Sequence, residues 1–226
     1  MKFKEVNLYT NQLKELKSFY SQKLGFQITN QTDISFTLRI GWSKLTFNQS
    51  NKEHKYHFCF LIPCNQLTPC LEYFKDKIKI LNIEGSRQTH NFTTWNSDSF
   101  YFEDSAGNLG EFIVRHDLEN QNNSEFDLKQ VLGVNEIGLP TNDIKATNNL
   151  LEKELKTKFW KGDFNRFGTN GNQEGLFLLP NNMVKENWFP TSLKIKQEPF
   201  EVVIENKHSN YYLSFSAGKI KIAANT

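Results

Sequence analysis

The sequence predicts an α+β chain built from tandem βαβββ units, and three observations predict it. Two decapeptides, EVNLYTNQLK at residues 5–14 and EIGLPTNDIK at residues 136–145, share half their positions, and self-similarity on this scale marks a duplicated supersecondary unit. Each decapeptide leads into apolar residues at helical spacing: Leu13, Leu16, Tyr20 and Leu24 after the first, Leu151, Leu155 and Phe159 after the second. Short strand-like runs then follow each helix.

In the first unit the strand EVNLYT leads to a helix that Gly25 can cap, followed by FQITN, ISFTLRI and SKLTFNQ as strands. The second unit opens on YHFCFLIP (56–63). Thr68–Pro69 starts its helix through CLEYFKDKI, and SFYFED and LGEFIV are its closing strands. The third unit opens on the second decapeptide, with Asn142–Asp143 as its helix cap and NRFGTN and GLFLLP as its last strands. DLENQNNSEFD (117–127) is polar and aperiodic and reads as a linker. Beyond Pro180 the pattern weakens, although PFEVVIE and YYLSF still read as strands of a truncated fourth unit. The expected organisation is two units over 1–117, a linker over 118–127, a degenerate third unit with C-terminal strands over 128–216, and a tail over 217–226.

With 38% hydrophobic residues, 20 Phe and a formal charge of +2, the chain suits a globular, sheet-rich protein. Lysine and arginine are scattered, which argues against a nucleic-acid partner. No run is apolar and long enough for a signal peptide or a membrane span, so the expectation is a cytoplasmic protein with no membrane partner. Cys59, Cys64 and Cys70 lack C-x-x-C spacing and leave an odd thiol, so they read as reduced core residues.

The tandem units, the helix end FYSQKLGF and the hairpin FEDSAGNLGEF resemble the vicinal oxygen chelate superfamily, which includes glyoxalase I, extradiol dioxygenases and bleomycin-resistance proteins. The resemblance implies a half-open, cupped mixed sheet formed by the first two units and holding a divalent metal (Zn, Mn, Ni or Fe(II)). It implies ligands at Glu5, His57 and Glu111, and a small oxygen-chelating substrate. The degenerate third unit then packs against this part or supports a homodimer. A metal-free protein that sequesters a planar compound, as bleomycin-resistance proteins do, is the alternative.

Period-two alternation places Phe3, Glu5, Asn7 and Tyr9 on one face of the first strand, and Leu109, Glu111 and Ile113 on one face of the last. A cation would offset the cost of burying carboxylates together. Glu111 and His90 are the catalytic candidates, with His90 and Trp95 on a loop leading into the cup. Asn7, Tyr9, Arg39, Trp42, Trp95 and Tyr101 are candidate substrate contacts. Glu136 repeats Glu5, but GLFLLP offers no carboxylate beside it, which gives the repeated glutamate a structural reading. Lys44, where glyoxalase I would place a carboxylate, could pair with Glu5 or Glu111.

Overall fold

In the computed structural model, which describes residues 1–225, the chain forms two mixed sheets packed across one core. Unit one comprises β1 (Lys2–Thr10), α1 (Leu13–Ser18) with a wider helical turn to Lys23, β2 (Ile28–Gln31), β3 (Ser35–Ile40) and β4 (Ser43–Gln49). Unit two comprises β5 (His57–Leu61), α2 (Leu67–Phe74), β6 (Thr89–Phe92), β7 (Ser97–Glu103) and β8 (Leu109–Arg115). Unit three comprises β9 (Gly133–Gly138), α3 (Ile144–Leu155), β10 (Phe159–Gly162), β11 (Phe167–Asn172) and β12 (Gly175–Pro180). The chain then adds β13 (Phe200–Asn206), β14 (Ser209–Ser216) and β15 (Lys219–Asn225).

The pairing of units differs from the expectation. Units two and three share one sheet, ordered β10-β11-β12-β9-β5-β8-β7-β6, with β5 antiparallel to β9. Unit one joins the C-terminal strands in the other sheet, ordered β15-β14-β13-β1-β4-β3-β2; because it holds β1 it is called the first sheet, and the sheet of units two and three the second. The cup is therefore built from units two and three, not from residues 1–117. Residues 219–225, expected as tail, form an edge strand paired with β14; Thr226 lies outside the described residues. Parallel pairing within a unit requires a crossover, which the helices of units one to three supply. No helix stands among β13, β14 and β15, and these strands form an antiparallel meander instead.

The phenylalanines hold the sheets together. Phe3 of β1 meets Phe177 of β12 edge-on at 5.2 Å, and Phe47 of β4 meets Phe58 of β5 at 6.5 Å. All four are almost fully buried, and each such ring contributes roughly 1.5–3 kcal/mol of burial. The loop after β7 is tied to unit one. Tyr20 Oη donates to Asp104 Oδ2 at 2.8 Å, and Asp104 Oδ1 accepts the Ala106 and Asn108 amides at 2.9 and 3.0 Å. Gly107, at φ +80°, supplies the left-handed residue that this loop needs. The register of β8, and hence of Glu111, is set here. Cys59, Cys64 and Cys70 are buried and free. No described helix is long and apolar enough to cross a membrane.

Two register shifts set which side chains of β1 and β9 turn to the core. The β1–β13 register shifts between Phe3 and Glu5, and the β5–β9 register shifts just before Glu136. In each case one extra residue, Lys4 or Asn135, breaks the alternation. Phe3 and Glu5 therefore do not share a face: Phe3 is in the core and Glu5 is turned toward solvent. In β9 the same device puts Val134 and Ile137 in the core and Glu136 opposite Cys59, on the cup face.

Candidate metal centre and aromatic cavity

His57, at the start of β5, Glu111, in the middle of β8, and Glu136 of β9 converge inside the second sheet. One ligand-capable atom from each lies within 4.8 Å of the others, and all three side chains are buried. The His57 ring is fixed by its Nδ1, which lies 3.0 Å from the Leu109 carbonyl oxygen. A carbonyl only accepts, so Nδ1 carries the proton and Nε2 presents a bare lone pair to Glu111 Oε2 at 3.4 Å.

Charge at this point is unbalanced. Glu136 is bonded by the fully buried Arg115, whose Nε also donates to Asn135 Oδ1 at 3.0 Å. Among the described residues no lysine or arginine bonds Glu111, whose one ion-pair neighbour is His57. Burial, then the charge of Glu136, pushes its carboxyl up to about 8. Burial also raises Glu136, against the pull of Arg115. His57 is held down to about 4 by burial, with Lys185 adding in the same direction. Two acceptors thus face each other across 3.4 Å, with one carboxylate more than Arg115 can neutralise. That arrangement calls for a proton or a cation between them, and one imidazole nitrogen with two carboxylates is a donor set that divalent metals accept. The residues fit a metal.

The metal-free protein then has a defined pH response. Glu111 has a folded value near 8 and an ordinary value of 4.5, so native protein holds this proton more tightly than unfolded chain. Its contribution is complete below about pH 4.5 and is lost as pH rises toward 8. Urea unfolding of chelator-treated protein is expected to show stability falling by a few kcal/mol over that window. Glu111→Gln is expected to flatten the fall; an unchanged slope in that variant would count against the burial of an uncompensated carboxylate.

Above the triad lies a cavity of about 320 Å³. His90, Phe92, Trp95, Tyr101, Phe167, Trp188 and Phe189 wall it, with Lys185 as its added cation. His90 is not on a loop: it stands on the edge strand β6, and Trp95 ends the short turn between β6 and β7. Across the open side of the cup Trp95 meets Trp160 of β10 edge-on at 5.2 Å, and Lys161 Nζ donates to the Thr94 carbonyl. These contacts draw the two edges of the sheet together. The connector between β12 and β13 lies over the opening, with the Trp188 ring 4.8 Å from His57.

The structure brings together His57, Glu111, His90, Trp95 and Tyr101 of the expected site residues. The others lie elsewhere. Glu5 is half-exposed and bonded to Lys44 Nζ at 3.0 Å, on the outer face of the first sheet. Asn7 shares that face, and Tyr9 Oη donates to Glu201 there at 3.3 Å. Arg39 is exposed. Trp42 braces the two sheets, its amide donating to Leu132 O at 2.9 Å and its indole covering Gly133. Glu136 takes the place assigned to Glu5. The signal for it is the repeated decapeptide itself. Lys185 and Trp188 lie in a connector without periodicity, and no sequence signal points to them.

Residues 2–112 match the family profile described as Glyoxalase/Bleomycin resistance protein/Dioxygenase superfamily. No curated protein matches the sequence. Among solved structures, a candidate dioxygenase from Bacillus subtilis is similar at 14% identity, with 99% of this chain and 84% of that one covered and a TM-score of 0.60. A glyoxalase I mutant from Zea mays is similar at 12% identity, with 99% and 92% covered and a TM-score of 0.58. At these identities the likeness is one of fold. The family match and the fold agree: residues 2–112 belong to the glyoxalase/bleomycin resistance/dioxygenase superfamily, also called the vicinal oxygen chelate superfamily.

Proposed function

We propose that this protein is a divalent-metal-dependent enzyme, of lyase, isomerase or ring-cleaving type, acting on a small substrate that offers two oxygens. The observation that carries the reading is the buried convergence of His57, Glu111 and Glu136 at the base of an aromatic cavity. These three residues would hold the ion; Zn, Mn, Ni and Fe(II) all suit them. When bound, the ion supplies Lewis-acid polarisation of substrate oxygens.

The remaining roles belong to the chain. The Leu109 carbonyl fixes the His57 tautomer. Arg115 holds one oxygen of Glu136 and leaves its other available. The aromatic walls exclude water and strengthen every electrostatic interaction inside. Burial lowers the basicity of His90, which favours the neutral imidazole, and a ring nitrogen in that form would accept a proton from substrate. The second reading, metal-free sequestration of a planar compound, draws on the same aromatic walls.

The test is an assay of 2-oxoaldehyde hemithioacetals and catechols with metal-loaded and chelator-treated protein. Turnover is expected only with metal, restored by Zn or Mn and lost in Glu111→Gln. Metal-independent turnover, or protein that takes up no metal, would overturn the enzyme reading in this form.

A further inference from the structure

We propose that the cavity takes a flat aromatic anion and that Lys185 recognises its acidic group. This deepens the reading of the cavity as the substrate site and does not depend on the metal. Lys185 lies on the connector that covers the cup and lines the cavity from above the triad. It is partly buried, and its ammonium donates to the Asn187 carbonyl. Among the described residues it has no carboxylate partner, although Glu186 is its immediate neighbour. Glu186 instead pairs with Lys194 at 2.7 Å on the surface.

A partly dehydrated ammonium without a counter-charge is costly, and burial together with the nearby charge of Arg166 lowers the proton affinity of Lys185. A ligand anion would offset that cost. The walls specify the rest of the ligand. Phe92 and Trp95 lie 5.7 Å apart with their planes within 29°, and Trp95 and Phe167 lie 6.3 Å apart with their planes within 28°. Near-parallel rings beside a cavity of about 320 Å³ favour a planar body over a branched one. Lys185 lies 6.0 Å from the Phe167 ring, so an acidic group on that body would meet the ammonium at the edge of the aromatic wall. The cavity lining thus carries the carboxylates of Glu111 and Glu136 and, in Lys185, a cation that has no carboxylate partner among the described residues.

The experiment is calorimetric titration of chelator-treated protein with naphthalene-2-carboxylate and with its uncharged isostere, naphthalene-2-carboxamide. Wild-type protein is expected to bind the acid at least about 10-fold more tightly than the amide, as a charge-assisted hydrogen bond allows. Lys185→Gln is expected to erase that preference while leaving amide affinity within about twofold, and Lys185→Arg to keep it. Equal affinities in wild type, a preference that survives Lys185→Gln, or no binding of the acid at millimolar concentration would each overturn the proposal. Because the titration is run without metal, an anion preference stands even if the protein proves not to need an ion. A proven metal site with no such preference would remove only the role of Lys185.

Discussion

Replacing Arg115 with methionine is expected to lower the unfolding free energy of the metal-free protein by about 3–5 kcal/mol. Arg115 is fully buried and is the cation bonded to Glu136, which is itself buried. Methionine matches the length of the apolar stem but supplies neither the charge nor the two hydrogen bonds, to Glu136 Oε1 and Asn135 Oδ1. It also removes the guanidinium that lies 5.2 Å from the Trp160 ring and 5.9 Å from the Trp95 ring. Glu136 and Glu111 are then left facing each other with no cation between them. Urea unfolding should show the loss as a lower midpoint with an unchanged slope. Saturating Zn should restore part of it, since a divalent ion provides the missing charge and binds only the folded chain. A loss below about 1 kcal/mol, or no recovery with metal, would show that Arg115 is not the counter-charge of this site.

Glu136→Gln is expected to abolish stoichiometric metal binding, whereas Glu5→Gln leaves it intact. The two glutamates occupy the same place in the repeated decapeptide, so the comparison separates sequence equivalence from geometry. Glutamine keeps the volume and still accepts a hydrogen bond from Arg115, but it is a poor ligand for a hard divalent ion. The loss at Glu136 should exceed the roughly 10–100-fold in affinity that removal of an outer hydrogen-bond partner costs. Glu5 is half-exposed and, among the described residues, paired only with Lys44, so its substitution should change stability by no more than about 1 kcal/mol. Elemental analysis of both variants after purification without chelator, with circular dichroism to verify folding, decides between them. Metal lost from Glu5→Gln and kept by Glu136→Gln would reverse the assignment.

The units were legible in the sequence because their signals are local. The decapeptide repeat, the helical spacing of Leu13, Leu16 and Tyr20, and the SFYFED and LGEFIV strands correspond to β1, β9, α1, β7 and β8. His57 and Glu111 were legible for the same reason, each lying on a strand marked by its own neighbours. What was not legible is long-range. Nothing in β1 alone says whether it will pair with β5 or β13; the pairing is decided by which sheet edges and phenylalanine faces close together, Phe3 on Phe177 and Phe47 on Phe58. That choice made Glu136 rather than Glu5 the neighbour of His57. Strict alternation grouped Glu5 correctly with Asn7 and Tyr9 but misplaced Phe3, because the extra residue at Lys4 moves Phe3 to the core face without any signal in residue type. Lys185 and Trp188 reach the cavity from a connector whose path is set by the surface it crosses, and such contacts carry no periodic signal.

His57, Glu111 and Glu136 are expected to share one ion. Anomalous diffraction from crystals soaked in Zn, recorded on both sides of the metal's absorption edge, tests it most directly. One peak is expected within about 2.0–2.2 Å of His57 Nε2 and of an oxygen from each glutamate. A map without density at that point under saturating metal, or with its peak beside Glu5 on the outer face of the first sheet, would contradict it.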